Sequence, residues 1–153
     1  MFKRILLAYN GSRDGRTALL ACRELAAFTR ADTNLLAVTT ISPKMFLAEG
    51  YTPDQFLDQE RAHAQEVLDE GIAQLKERGS AVMGHLAQGD PVEEICRLAA
   101  DLKCDLIVVG HSKATSFLSR WWQGSVGKYL IDPATCSVLV VRVEGEPQSR
   151  PTA

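Results

Sequence analysis

The sequence has no long apolar run and no strong excess of charge of one sign. A membrane-spanning helix needs roughly 20 apolar residues, and no apolar run among these 153 residues approaches that length. The basic and then apolar start, Met1–Leu7, is similar to a signal peptide, but Asn10-Gly11-Ser12 interrupts it early, so we interpret it as a first strand. The net charge of −2 indicates no nucleic-acid-binding surface. We therefore expect a cytoplasmic protein with neither membrane nor nucleic acid as a partner.

The sequence also lacks the patterns that bind metals or form redox-active dithiols. Its four cysteines form no C-x-x-C pair, and its three histidines lack the spacing of metal ligands. The cysteines are Cys22, Cys96, Cys104 and Cys136. We expect them to be reduced thiols of the core. A lysine-bearing phosphate loop of the form Gly-x-x-x-x-Gly-Lys-Ser/Thr is absent as well.

Five apolar runs are typical of β-strands. The predicted strands are Lys3–Tyr9, Asn34–Thr40, Ala81–Ala87, Asp105–Val109 and Ser137–Val143. The runs are continuously apolar rather than alternating, as in strands that are buried on both faces. We therefore predict an α/β fold in which helices cover both faces of an open, parallel, five-stranded sheet.

Four segments with helical features separate the strands. The predicted helices extend from Ser12 to about Arg30, from Thr52 to Gly79, from Asp90 to about Leu102, and from Ser125 to Ile131. The second and third begin with a capping residue followed by proline, as Thr52-Pro53 and Asp90-Pro91. Strands and helices thus alternate along the whole chain, which favours right-handed crossovers between parallel strands.

The segment after the fourth strand has the pattern of an anion-binding site. The apolar run ends at Gly110, a polar loop follows, and Gly124-Ser125 then opens the fourth helix. Backbone N–H groups in such a loop and at a helix start bind anions. In open parallel sheets, ligands bind beyond the carboxyl ends of the strands. The candidate segments are therefore Tyr9–Ser12, Val38–Thr40 and Val109–Lys113, which follow strands one, two and four.

Taken together, these segments resemble the universal stress protein family over residues 2–143. The resemblance rests on Lys3–Ser12, Gly89-Asp90-Pro91, Asp105–Gly110, Gly124-Ser125-Val126 and Cys136–Val141. It implies a sheet with the strand order 3-2-1-4-5, of the adenine nucleotide alpha hydrolase-like kind. It also implies a homodimer formed through the final strand, Ser137–Val143. We assign residues 1–143 to this domain and expect the polar, proline-containing residues 144–153 to be a disordered tail.

ATP-binding members of this family carry a glycine, two residues, a second glycine, nine residues, and a third glycine followed by Ser or Thr. Gly110 and Gly124-Ser125 match the two ends of that pattern. Lys113 takes the place of the middle glycine, and 13 residues separate Gly110 from Gly124 where the family has 12. The family usually has an acidic residue against the ribose at the end of strand one, where this chain has Asn10.

The resemblance and the strand-end positions together give a set of candidate nucleotide-binding residues. They are Ala8, Asn10, Val38, Val109, Gly110, Ser112, Lys113, Gly124, Ser125 and Val126. The implied ligand is ATP, with or without Mg²⁺. The implied function is that of an ATP-binding regulatory homodimer in the stress response, which signals through a regulatory protein partner.

Two other functions stay open on the sequence. The first is a stress protein that binds no nucleotide and acts through dimerisation and protein contacts, since Asn10 and Lys113 depart from the ATP-binding pattern. The second is an enzyme, either a slow ATPase or a hydrolase. His111 lies beside Gly110, but no nucleophile or acid motif accompanies it. We therefore expect the protein not to be an enzyme.

Overall fold

A computed structural model describes residues 1–11, 13–39, 53–77, 81–111 and 130–142. In chain order the elements are β1 (Arg4–Ala8), α1 (Arg13–Thr29), β2 (Asp32–Thr39), α2 (Pro53–Lys76), β3 (Val82–Gln88), α3 (Pro91–Asp101), β4 (Leu106–His111) and β5 (Ser137–Arg142). All strand pairs are parallel, and the sheet order is β3-β2-β1-β4-β5. The predicted α/β fold and the strand order are both confirmed.

The core consists of two layers, one on each face of the sheet. On one face, Ile5 and Leu7 of β1 pack with apolar residues of α1 and α2. On the other face, Leu6 and Ala8 pack with Ile95 of α3 and with other apolar residues. Strand β1 is therefore covered on both sides, which explains why its sequence is a continuous apolar run.

Apart from the end of α2, element boundaries within the described residues differ from the predictions by one or two residues, with a physical reason in two cases. Helix α1 ends at Thr29 because Arg30 adopts a left-handed φ of 55°, which ends the helix. Strand β4 continues past its predicted end at Val109, because Gly110 and His111 still pair with the neighbouring strand β5.

Several predicted boundaries fall outside the described residues. Gly79, the predicted end of the second helix, is one of them, and α2 ends at Lys76 within the described part. Of the predicted fourth helix, Ser125–Ile131, only Leu130 and Ile131 are described. The start of α3 is as predicted, since the Asp90 carboxylate accepts a hydrogen bond of 3.0 Å from the Glu93 amide and Pro91 takes the first position.

The buried cysteines behave as core thiols. All four cysteines are free, and Cys22 and Cys104 are buried. Burial raises the pKa of the Cys22 thiol to about 12 and that of Cys104 to about 11, so both stay protonated at neutral pH. Within the described ranges, no three metal-binding side chains are grouped so that they could hold an ion. No helix in those ranges combines the length and the apolar character needed to cross a membrane.

Asp105 ties the start of β1 to the start of β4. Its carboxylate accepts hydrogen bonds from the backbone amides of Lys3 at 2.8 Å and Arg4 at 3.0 Å. The Arg4 guanidinium in turn donates to the Leu102 carbonyl at 3.0 Å. These bonds fix the pairing of the two central strands, whose opposite ends form the candidate site.

Replacing Asp105 by alanine should lower the free energy of unfolding by about 1–2 kcal/mol at pH 7, because two backbone amides lose a charged acceptor. Partial burial pushes the pKa of Asp105 up, but the amide hydrogen bonds outweigh it and leave the pKa below its ordinary value. A depressed folded-state pKa means that the stabilisation is complete above the unfolded value, near 4, and is lost as the pH falls through the folded value. Urea denaturation at pH 7 and at decreasing pH below 4 measures this.

The control is Asp101→Ala, which removes only a surface ion pair of 3.1 Å with Arg97. Its cost should stay within about 0.5 kcal/mol. If Asp105→Ala cost no more than this control, or if its effect did not shrink in acid, the carboxylate would not stabilise the strand pairing.

Candidate functional site

The sheet order places the carboxyl ends of β1 and β4 side by side. Strands β2 and β3 are added to one side of β1. The chain then crosses over, and β4 and β5 are added to the other side of β1. The last residue pair in the register of the two strands is Leu7 with Val108, and Ala8 and Val109 follow directly. This reversal of direction is the place where open parallel sheets form a ligand-binding crevice.

Residues after β1 are held firmly against the neighbouring strand. The Tyr9 amide donates a hydrogen bond of 2.9 Å to the Leu36 carbonyl of β2. Asn10 follows and is half-buried, and Gly11 adopts a left-handed φ of 76° that turns the chain toward α1. The Asn10 side chain therefore belongs to a tight turn at the switch between β1 and β4.

The ends of β2 and β3 are also joined. The Thr39 hydroxyl donates to the Ala87 carbonyl at 3.3 Å, and the Gly89 amide donates to the Thr39 carbonyl at 2.9 Å. Val38, the candidate at the end of β2, pairs with Ala87 and is half-buried. The three strand ends predicted from the sequence, those of β1, β2 and β4, therefore lie side by side at the carboxyl ends of the parallel strands.

Three of the candidate residues also share one face. Ala8, Val38 and Val109 all pack into the layer covered by α3. The side chains of Ala8 and Val109 are 2% and 0% exposed, so they contribute to the core and only their backbone groups can meet a ligand. Gly110 is half-buried at the end of β4, opposite Val141 of β5.

The other half of the predicted site lies outside the described residues. It consists of Ser112, Lys113, Gly124, Ser125 and Val126. The described half offers backbone groups and the Asn10 amide, which can bind and orient a polar ligand. None of the described candidate residues carries an ionisable side chain.

The sequence analysis did not predict the packing of Tyr9, the residue after β1, against the helices. Tyr9 is 1% exposed, and its hydroxyl is buried without a hydrogen bond of good geometry. Close to the Tyr9 hydroxyl, Arg16 of α1 and Glu70 of α2 form an ion pair of 3.1 Å. Burial chiefly raises the pKa of the Tyr9 phenol, and the nearby Arg16 guanidinium opposes that shift only in part.

One feature of the sequence indicates this packing of Tyr9. Gly71 lies in the middle of the long helix α2, where glycine is unfavourable. A glycine in a helix interior often marks close packing. A Cβ at Gly71 would lie 3.0 Å from the Tyr9 ring and 2.6 Å from Leu35 Cδ2, so the glycine is needed for this contact.

Comparison with known proteins settles the family. The model of the universal stress protein family matches residues 1–142 of the chain. The chain belongs to the universal stress protein family. The resemblance drawn from its motifs is therefore confirmed.

Similar proteins cover nearly the whole of this universal stress protein. The universal stress protein YxiE of Bacillus subtilis is 30% identical in an alignment 149 residues long, which covers 93% of this chain and 100% of that protein. The crystal structure of a family member from Burkholderia pseudomallei is 30% identical with a TM-score of 0.73, and the match covers 91% of this chain and 95% of that one. A family member from Arabidopsis thaliana with AMP bound shares the fold at 18% identity and a TM-score of 0.63, over 92% and 91% of the two chains.

Proposed function

We propose that this universal stress protein binds an adenine nucleotide, ATP with or without Mg²⁺, at the carboxyl ends of β1, β2 and β4. The observation that carries the proposal is the adjacency of β1 and β4, which brings Asn10 and Gly110 to the switch point of the sheet. The AMP bound to the Arabidopsis thaliana relative supports a nucleotide as the ligand.

The described residues suit the nucleoside half of such a ligand. The Asn10 amide can donate to and accept from ribose hydroxyls without carrying charge. Backbone groups at Val38 can meet the polar edge of adenine, and Gly110 lets the backbone approach the ligand because it has no Cβ. Ala8 and Val109 form the floor of the site, since their side chains are buried.

The phosphate half of the proposed site rests on the sequence alone. Backbone N–H groups at Gly124, Ser125 and Val126 would bind phosphate oxygens at the start of the predicted fourth helix. Ser112 adds a hydroxyl, and the Lys113 ammonium attracts phosphate as a point charge.

The protein then acts as a nucleotide-responsive regulator rather than an enzyme. We place it in the cytoplasm, as a homodimer joined through Ser137–Val143, with a regulatory protein partner that responds to the nucleotide state. The domain extends over residues 1–143. The proposed disordered tail, residues 144–153, lies outside the described residues.

A second function has its own supporting observation. Asn10 and Lys113 stand where the ATP-binding pattern has an acidic residue and a glycine. Under this alternative the protein binds no nucleotide and acts through dimerisation and protein contacts.

Isothermal titration separates the two functions. We expect saturable heat on adding ATP with Mg²⁺ below millimolar concentration, and a gain in stability of about 2.7 kcal/mol when free ATP reaches 100 times its Kd. GTP serves as the control, because the proposed adenine contacts do not suit guanine. Absence of both heat and stabilisation at millimolar ATP would favour the nucleotide-free alternative.

A further inference from the structure

Tyr9 and Gly11, the residues before and after Asn10, both contact helix α2. The Tyr9 ring is packed so closely on Gly71 that a Cβ there would lie 3.0 Å from its Cδ1 and 3.1 Å from its Cε1. A Cβ on Gly11 would lie 3.0 Å from Val67 Cγ2. The residues that flank Asn10 are therefore each in contact with the same helix.

The contacting residues form one patch of α2. Glu70 and Gly71 follow Val67 by three and four positions, so both lie on the same face of the helix as Val67. Glu70 also holds Arg16, in the first part of α1, through the ion pair of 3.1 Å. The turn between β1 and α1 is thus held by α2 before Asn10, after it, and at the start of the following helix.

We propose that Gly71 is a positioning residue for the nucleotide site, acting through Tyr9 on Asn10. Because Gly71 has no side chain, the rigid Tyr9 ring lies directly on α2, and this contact sets the place from which Asn10 presents its amide. The inference rests on the nucleotide-binding function proposed above, since Asn10 is the residue assigned to the ribose. It extends that function to a helix that carries none of the predicted site residues.

The test is Gly71→Ala. Its methyl group would lie 2.6 Å from Leu35 Cδ2 and 3.0 Å from the Tyr9 ring, and both side chains are fully buried. The ring must shift, and the backbone at Asn10 and Gly11 shifts with it. We expect altered amide resonances of Asn10 and Gly11 in the free protein by NMR, and a Kd for ATP raised about three- to tenfold by the lost preorganisation.

Gly84→Ala is the matched control. A Cβ at Gly84 of β3 would lie 2.5 Å from Ile72 Cδ1, and its other near neighbour is Leu68, both on α2. The same chemical change thus meets the same helix, but through Ile72 and Leu68 rather than through Tyr9. We expect this variant to leave the Asn10 and Gly11 resonances and the Kd unchanged.

Glu70→Gln provides a second route if Gly71→Ala folds poorly. Both partners of the Arg16–Glu70 pair are largely exposed, so the substitution should hardly change the melting midpoint. It should raise the Kd for ATP by less than Gly71→Ala does, because the glutamine oxygen can still accept a hydrogen bond from Arg16 but carries no charge. An unchanged Kd together with unmoved Asn10 and Gly11 amides would count against positioning of this turn by α2.

The outcomes separate this inference from the proposed function. If Gly71→Ala bound ATP like the unsubstituted protein and left the Asn10 and Gly11 amides unmoved, Gly71 would not be a positioning residue, while the nucleotide site would stand. Equal effects of Gly71→Ala and Gly84→Ala on the Kd would also overturn the inference. Failure of the unsubstituted protein to bind ATP would overturn the proposed function and the role assigned to Gly71 with it.

Discussion

A valine in place of Gly110 is expected to abolish ATP binding while the protein stays folded. Gly110 lies at the end of β4, half-buried and paired with Val141, beside the end of β1. The proposed site needs the backbone itself to approach the nucleotide there, and a branched side chain prevents that approach. We expect the Kd for ATP to rise about 100-fold or more, which corresponds to about 2.7 kcal/mol.

The fold should tolerate this change because Gly110 is part of an extended strand. Valine is well suited to β-structure, so the melting midpoint should stay close to that of the parent. Gly110→Ala adds one carbon instead of three and should give an intermediate Kd. Met83→Val, on the exposed edge strand β3, is the control that should leave binding unchanged.

Isothermal titration and thermal melting of the same samples decide the result. A folded Gly110→Val variant with the parental Kd would show that the end of β4 does not contact the ligand. A variant that unfolds would instead be replaced by Gly110→Ala, whose smaller side chain still tests the approach.

The elements of this fold were predictable because each carries a local chemical pattern. Strand β1 has to be apolar from Ile5 to Ala8, since Leu6 and Leu7 face opposite layers of the core. The start of α3 was predictable because Asp90 and Pro91 act within a single turn. Strand order has no such local pattern. It depends on which strands pair across the chain, and only the resemblance to the family supplied it.

The candidate site was predictable to the same extent. Asn10 and Gly110 follow apolar runs in the sequence, so their place at the carboxyl ends of the strands follows from the parallel sheet. The contact between Gly71 and Tyr9 could not be derived in this way. The contact joins residues far apart in the sequence. The one sign of it in the sequence is a glycine inside a helix. The continuation of β4 through Gly110 also depends on a partner strand, β5.

The two edges of the sheet differ in a way that bears on the proposed homodimer. Strand β5 forms one edge and carries four consecutive apolar residues, Val138–Val141, with Leu139 39% exposed. Strand β3 forms the other edge and includes His85 and Gly84 among its residues, although Met83 is 63% exposed. An apolar edge strand tends to pair with another chain unless it is covered. The longer apolar run of β5 favours it as the dimer interface, even though Met83 is the more exposed side chain.

Leu139→Asp should therefore convert the dimer to a monomer, whereas Met83→Asp should leave it a dimer. An unpaired carboxylate buried in an interface formed by β5 costs several kcal/mol, and about 4 kcal/mol raises the dimer dissociation constant about 1,000-fold. Light scattering at micromolar concentration measures the mass of each variant, and circular dichroism checks that each is folded. Dissociation by Met83→Asp alone would place the interface at β3. A parent protein of monomeric mass would remove the homodimer from the proposed function. It would leave the proposed nucleotide site in place, because all its candidate residues lie in one chain.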